Sequence, residues 1–164
     1  MSSTYDGLNR LTFKAITDGI KTNTTSIKYN KIGLVKEKNV GGYLESFEYT
    51  DQGYLKEHSY PDYSNDYLYD TSGNIKRILT MKGLEHIQTV THTYDALDRM
   101  LTVSDQDDLQ GRYTYDANGN RESLKYLNES YGSNYSYNLM NQVTSINNFN
   151  SEHPVQWKTH WAMF

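Results

Sequence analysis

The chain has 164 residues, a formal net charge of −4 and no cysteine. This length fits one ordinary domain or a short run of small repeats. Without cysteine there are no disulfides and no thiolate zinc site. Sixteen basic and 20 acidic residues, with no long run of either sign, provide no electrostatic surface for nucleic acid or an anionic membrane. No stretch approaches the roughly 18 apolar residues of a membrane span.

The aromatic content of the chain is unusual. Leu, Ile, Val and Phe make up only about a fifth of the residues, a level at which many chains cannot fill a core. The 16 tyrosines argue against disorder, because a tyrosine buries a large ring while its hydroxyl stays near water. We therefore expect a folded chain with a core built largely from tyrosine.

A seven-residue pattern beginning with tyrosine recurs along the chain, and its tyrosines are 20 to 25 residues apart. We number its positions 1 to 7. The copies are Tyr5–Leu11, Tyr29–Val35, Tyr49–Leu55, Tyr69–Ile75, Tyr94–Met100, Tyr115–Arg121 and Tyr137–Val143. A regular spacing of this kind is the signature of a repeat architecture.

Positions 2 and 5 carry residues that form turns. Position 2 is Asp6, Asn30, Thr50, Asp70, Asp95, Asp116 and Asn138. These side chains accept hydrogen bonds from the backbone two residues on and so initiate turns. Position 5 is Asn9, Gly33, Gly53, Gly73, Asp98, Gly119 and Asn141. These residue types best tolerate a left-handed backbone, so we expect a positive φ there.

A strand is predicted on each side of this turn. Residues two before the tyrosine are mostly aromatic or apolar, as at Phe47, Tyr67 and Tyr113, and therefore share a strand face with it. Position 7 is apolar in six copies. A second apolar residue often follows three positions later, which breaks strict alternation and indicates a β-bulge. Each copy is thus predicted to be a β-hairpin.

In chain order, the sequence predicts seven hairpins over residues 3–148, followed by a non-repeat tail over residues 149–164. Single hairpins are marginal in water, but several stacked repeats can stabilise one another. We therefore expect an all-β chain of tandem hairpins in one curved antiparallel ribbon. We interpret the tail as a cap or a truncation remnant.

The pattern resembles the YD repeat of the RHS family, which includes bacterial wall-associated and polymorphic-toxin proteins, the C component of insecticidal toxin complexes, and teneurins. The copies that carry the resemblance best are Tyr113–Arg121 and Tyr67–Ile75. The resemblance implies a spiralling β-ribbon that forms a hollow shell, which in toxin members encloses a variable C-terminal effector. Complete members have many more repeats, so this chain resembles part of a shell.

Candidate catalytic and metal-binding patterns have simpler interpretations. The Tyr-Asp pairs fit turn formation better than acid/base catalysis, because adjacent strand residues point to opposite faces. Asp105–Gly111 resembles a calcium loop but lacks its full set of ligands, so we interpret it as a solvated turn. The five histidines form no metal-binding motif. We expect no enzyme activity and no cofactor.

The absence of a catalytic motif favours a structural role, and the resemblance implies a segment that encloses or presents an effector, in a bacterial surface or toxin-delivery protein. Its expected partners are neighbouring repeats of a longer parent chain or an enclosed effector, with neither nucleic acid nor a membrane span involved. The first residues lack the regions of a signal peptide, so secretion or surface display would occur as part of that longer protein. The alternative is a carbohydrate- or cell-wall-binding module that uses exposed tyrosines such as Tyr54 and Tyr63.

Overall fold

The structure, a computed structural model, describes residues 1–126 and 129–150 and the backbone of residues 157–160. The described residues form fifteen β-strands and no helix. The strands are β1 (Ser2–Tyr5), β2 (Leu11–Thr17), β3 (Thr22–Tyr29), β4 (Val35–Val40), β5 (Tyr43–Tyr49), β6 (Leu55–Tyr60), β7 (Tyr63–Tyr69), β8 (Ile75–Lys82), β9 (Glu85–Tyr94), β10 (Met100–Asp105), β11 (Asp108–Tyr115), β12 (Arg121–Tyr126), β13 (Tyr131–Tyr137), β14 (Val143–Asn150) and β15 (Trp157–His160).

The strands are neighbours in chain order within one antiparallel sheet, so the predicted ribbon of tandem hairpins is confirmed. Every motif tyrosine is the last residue of an odd-numbered strand, and every position 7 residue is the first of the next strand. Positions 2 to 6 therefore form the seven turns. Most of the predicted tail, residues 149–164, lies outside the described residues. The described part consists of Phe149 and Asn150 at the end of β14 and the backbone of β15, which pairs with β14.

Backbone contacts divide the chain into two compact units. The first comprises Met1–Leu68 and Ile78–Gln88, and the second comprises Tyr69–Arg77 and Thr89–Phe164. Each unit is built in the same way, from hairpins whose strands pair with the strands before and after them in the chain. The repeat seen in the sequence is thus also the structural repeat.

The register within the hairpins confirms the predicted bulge. In six of the seven hairpins, the residue directly after position 7, which we call position 8, is an extra residue without a partner in the register. In the third hairpin, Tyr49 lies opposite Leu55 and Glu48 opposite Glu57, so Lys56 is the extra residue. The same shift leaves out Thr12, Lys36, Leu101, Glu122 and Thr144 in other hairpins. A bulge bends the strand and increases its twist, and here it recurs at the same position in these six hairpins.

Successive hairpins pair with each other only on the side of the sheet away from the motif turns. Between β4 and β5 the pairing ends at Glu37 and Ser46, three residues before Tyr49. Between β12 and β13 it ends at Ser123 and Asn134, three residues before Tyr137. Among the described strands, the backbones of neighbouring hairpins thus separate as they approach the motif turns. Side chains have to connect the hairpins there.

The predicted tyrosine core is not present in the described residues. No hydrophobic side chain among them is buried, and Ser123 is the buried polar residue. The motif tyrosines are half-buried, except Tyr5, which is 57% exposed. The reason is that the described strands of each unit form a sheet whose faces no other described element covers, so aromatic rings shield one another only along the sheet.

Gly132 in β13 marks a close approach between strands and provides a test of this packing. A Cβ added at Gly132 would overlap the Leu124 carbonyl oxygen and the Phe149 ring, whereas one at Gly111 would meet nothing nearer than 3.8 Å. We expect Gly132→Ala to lower the free energy of unfolding by about 1–3 kcal/mol, because strands or ring must shift. Gly111→Ala is the matched control and should be nearly neutral. Equal urea midpoints for the two variants would contradict the packing described here.

Candidate functional site

The recurring motif turn is the feature to which all of the sequence-predicted site residues belong. In all seven copies the position 2 amide donates to the position 6 carbonyl at 2.8–3.0 Å, and the position 5 amide donates to the position 2 carbonyl at 2.9–3.2 Å. The backbone thus closes a tight turn of the same geometry each time. The structure places every predicted motif residue in this turn or at the end of the strand that enters it.

The position 2 side chain holds the turn from inside. In six copies its Oδ1 accepts hydrogen bonds from two backbone amides, those of positions 4 and 6, at 2.8–3.1 Å. The predicted bond to the residue two positions on is therefore confirmed in these copies. In the third copy, Thr50 Oγ1 accepts from the Tyr54 amide at 3.2 Å.

Position 5 has the predicted left-handed backbone in every copy. The φ values are 60° for Asn9, 89° for Gly33, 85° for Gly53, 90° for Gly73, 59° for Asp98, 88° for Gly119 and 60° for Asn141. Glycine adopts this region without strain, and Asn and Asp are the other residues that do so readily. The prediction from residue types is confirmed at all seven positions.

The tyrosine at position 1 connects one hairpin to the one before it, which the sequence did not reveal. Its hydroxyl donates to the carbonyl of position 7 in the preceding copy at 2.8–2.9 Å. The pairs are Tyr29 with Leu11, Tyr49 with Val35, Tyr94 with Ile75, Tyr115 with Met100, and Tyr137 with Arg121. The acceptor carbonyls lie where backbone pairing between hairpins has ended, so the hydroxyl occupies the place of a ladder hydrogen bond.

The turn carboxylates are electrostatically stabilised by their hydrogen bonds. The Arg10 and Arg99 guanidinium groups lower the pKa of Asp6 and Asp95, and the Asn120 amide does the same for the pKa of Asp116. The backbone amide of Asn74 is the main cause of the lowered pKa of Asp70. These carboxylates are therefore ionised turn anchors rather than proton donors or acceptors poised near neutral pH.

Other candidate chemical sites have structural explanations. Gln106 and Asp107, in the acidic segment, form a two-residue turn between β10 and β11 with φ values of 48° and 74°. No group of three or more potential metal ligands occurs among the described residues. His58 stacks on Phe47 with ring centroids 4.4 Å apart. Burial lowers the pKa of His92, as expected for the packing role that its place in the aromatic column predicts.

Shallow grooves recur between neighbouring turns of the same unit. Three of them have volumes of about 510, 490 and 300 Å³. Each is lined by position 2 of one copy and by the tyrosine and the preceding aromatic residue of the next. These sets are Asn30 with Phe47 and Tyr49, Asp116 with Tyr135 and Tyr137, and Asp70 with His92 and Tyr94. The grooves are thus by-products of the repeat, lined by the residues that build it.

The fold is similar to that of a solved Tc holotoxin and of two further solved structures. One is a mutant of the Photorhabdus luminescens Tc holotoxin pore, with a TM-score of 0.79, 15% identity and 96% of this chain covered. Crystal structures of TcdB2-TccC3-TEV and TcdB2-TccC3 have TM-scores of 0.79 and 0.63, at 16% and 11% identity, and each also covers 96% of this chain. The chain spans 9–12% of the length of the chains that it matches.

No model of a known protein family matches the sequence, and no curated protein matches it either. At these identities the structural likeness shows the fold. The resemblance to RHS and YD repeats that the tyrosine motif predicts is thereby confirmed at the level of the fold.

The left-handed position provides a direct test of the turn. We expect Gly119→Val to destabilise the chain by about 1–2 kcal/mol or more, because a β-branched residue at a φ of 88° is strained. Ala117→Val, at an exposed position of the same turn, should change the free energy of unfolding much less. Thermal or urea unfolding followed by circular dichroism measures both variants. Equal effects would contradict the conformational explanation.

The lowered pKa values predict sensitivity to acid. A carboxylate whose pKa is lower in the folded state than its unfolded value of about 3.9 stabilises the fold above that pH, and this stabilisation is lost as pH falls through the folded pKa. We therefore expect the urea midpoint to be constant near neutral pH and to fall below about pH 4.

A variant with asparagine at all four carboxylate anchors should show a weaker acid transition. These anchors are Asp6, Asp70, Asp95 and Asp116. Asparagine keeps the Oδ1 acceptor, as the natural copies with Asn30 and Asn138 show, but does not titrate. The urea midpoint should still depend on pH to some extent, because two other carboxyl groups have lowered pKa values. The Lys21 backbone amide lowers the pKa of Asp18, and the Lys28 ammonium group lowers that of Glu37. An unchanged transition would mean that the anchors do not cause it.

Proposed function

We propose that the chain is a structural segment of an RHS-type shell that encloses or presents an effector, as part of a longer bacterial surface or toxin-delivery protein. The observation that carries this proposal is the fold similarity to toxin-complex chains over 96% of this chain. A shell wall one sheet thick also fits the absence of a buried hydrophobic side chain among the described residues. The exposed faces and edges of such a wall would be covered by neighbouring repeats or by an enclosed effector.

We propose further that the segment is not an enzyme. The ionisable residues of the repeat are engaged in building turns, with Asp6 and Asp95 each bound to an arginine and to two backbone amides. A carboxylate held in this way is a poor general acid or base at neutral pH. The proposal would be overturned by hydrolase activity of the purified chain that a single substitution abolishes.

Extracellular action is part of the same proposal. It is supported by the toxin structures that share the fold. Separately, the described residues contain no helix long and apolar enough to cross a membrane. Export would take place within the longer parent protein.

The state of the isolated chain in solution tests the shell proposal. Edge strands present unpaired backbone groups and pair readily with other chains. Tyr5, at the end of β1, is 57% exposed. We therefore expect the purified chain to self-associate at tens of micromolar and to be cleaved first in its first hairpin. Sedimentation velocity and limited proteolysis with mass spectrometry measure these properties. A monodisperse, protease-resistant monomer would contradict the proposal of an open shell segment.

A carbohydrate-binding module is the second candidate, favoured by exposed tyrosines outside motif position 1. Tyr54 is 43% exposed and Tyr63 is 39% exposed, so their rings are accessible for stacking on sugars. If the chain binds cell-wall glycans, Tyr54→Ala or Tyr63→Ala should weaken binding in a peptidoglycan pull-down, whereas Tyr115→Phe should not. If the unaltered chain does not bind peptidoglycan, the carbohydrate-binding candidate is rejected and the structural proposal is unaffected.

A further inference from the structure

In four copies the side chain at motif position 6 is an arginine or an asparagine that reaches from one turn to the next, and it does so in two ways. In the first way, an arginine binds its own turn and stacks on the next. Arg10 Nε and Nη2 each lie 2.7 Å from Asp6 Oδ2, and the Arg10 guanidinium lies 4.3 Å from the Tyr29 ring centroid. Arg99 repeats this arrangement with Asp95 and Tyr115, at 4.4 Å from the ring.

A glycine at position 5 of the next copy leaves room for this arginine. A Cβ added at Gly33 would lie 3.1 Å from Arg10 Nη1, and one at Gly119 would lie 3.6 Å from Arg99 Nη1. Gly53 stands in the same relation to Leu34, at 3.9 Å. The Cβ contact would be tight at Gly33 and ordinary at Gly53 and Gly119. At the last two positions the preceding side chain would therefore compete only with a residue that extends beyond Cβ.

In the second way, an asparagine at position 6 makes a polar bridge. Asn74 Nδ2 donates to Asp70 Oδ2 of its own turn at 3.1 Å and to Asp98 Oδ1 of the next turn at 2.8 Å. Asn120 Nδ2 donates in the same way to Asp116 Oδ2 at 3.0 Å and to Asn141 Oδ1 at 2.9 Å. Here position 5 of the next copy must carry a side chain, because that side chain provides the acceptor.

The residue types at these two positions are correlated along the whole repeat in the sequence. A long side chain at position 6 is followed by glycine at position 5 of the next copy, and asparagine is followed by Asp or Asn. The long-side-chain pairs are Arg10 with Gly33, Leu34 with Gly53, Tyr54 with Gly73, and Arg99 with Gly119. The asparagine pairs are Asn74 with Asp98 and Asn120 with Asn141. All six successive pairs in the sequence obey this rule.

We propose that position 6 of one repeat and position 5 of the next form a matching pair that determines which repeats can be neighbours. A mismatch is penalised in either direction. An arginine opposite Asn or Asp meets a side chain where it needs space, and an asparagine opposite glycine loses its second hydrogen bond. Specificity of this kind combines an attractive contact with an element that excludes the wrong partner. The rule concerns repeat order and holds whether or not the shell encloses an effector.

The same rule assigns a partner to the exposed first turn. Tyr5 has no hydrogen-bond partner for its hydroxyl among the described residues, and Asn9 is exposed at position 5 with a φ of 60°. Because position 5 here carries a side chain, this edge fits a repeat with asparagine at position 6 and excludes one with arginine. The partner is therefore a further repeat of the same class, in which Tyr5 would donate to the position 7 carbonyl.

A double-mutant cycle between the sixth and seventh copies tests the matching pair. Asn120→Arg and Asn141→Gly should each lower the urea midpoint, and the double variant should regain more than half of the combined loss, because it recreates the arginine–glycine pair. Asn120→Arg combined with Asn9→Gly is the matched control. It makes the same glycine substitution at position 5 of a turn that does not follow Asn120, and it should give no recovery.

The reverse exchange between the fifth and sixth copies keeps the test informative if Asn120→Arg fails to fold. Arg99→Asn and Gly119→Asn should each lower the urea midpoint, and the double variant should regain part of the combined loss because it recreates an asparagine pair. Circular dichroism at low protein concentration follows all of these transitions. The matching pair would be overturned if the changes in urea midpoint were additive in both cycles. It would also be overturned if Asn9→Gly restored the midpoint of Asn120→Arg as well as Asn141→Gly does.

An extended chain tests the assignment at the first turn. Residues 108–132 placed directly before Met1 would put a copy of the sixth repeat before the first, in the register that Tyr137 has after Tyr115. With asparagine at position 6 of the added repeat, we expect proteolysis of the first hairpin to slow at least several-fold. With arginine there, protection should be much weaker. Equal protection by both added repeats, or protection by neither, would overturn the assignment.

Discussion

The structure depends on hydrogen bonds that side chains make where the backbones of neighbouring hairpins separate. On one side of the sheet, successive hairpins are joined by ordinary antiparallel pairing. On the motif side this pairing stops three residues before each tyrosine, and the tyrosine hydroxyl then reaches the carbonyl two residues beyond the last paired residue on the preceding hairpin. Without this bond the carbonyl would have only water as a partner and the hairpins would be joined along half of their length.

The bulge and the turn cooperate in placing that hydroxyl. The extra residue at position 8 bends the outgoing strand, and position 7 then lies directly opposite the tyrosine of its own hairpin, as Leu55 lies opposite Tyr49. In six copies the position 2 side chain fixes the turn between them with two amide hydrogen bonds, and the backbone hydrogen bonds of the turn are the same in all seven. A sheet without a buried hydrophobic side chain among its described residues thus obtains its order from local polar geometry rather than from packing in a core.

The parts of this arrangement that depend on near neighbours in the sequence were predictable. The acceptor at position 2, the left-handed position 5 and the bulge all involve residues within a few positions of one another, and residue type alone identifies them. The tyrosine hydroxyl bonds join residues 14 to 19 positions apart, and the contact between Asn74 and Asp98 spans 24. Without the register between hairpins these partners could not be identified. The predicted tyrosine core was wrong because composition does not specify whether a second layer covers the sheet.

Local construction also explains how a fold can persist while its sequence diverges. Each repeat needs a turn anchor at position 2, a residue that tolerates a positive φ at position 5, and a tyrosine whose hydroxyl reaches the previous repeat. Thr50 shows that even the anchor can be reduced to one backbone hydrogen bond. Strand residues between these positions are at most half-buried in nearly all cases, so most substitutions there cost little. The coupling between position 6 and position 5 of the next copy places a further constraint on the order of repeats rather than on any one of them. A repeat could then be moved within such a chain only where its new neighbour carries the complementary residue.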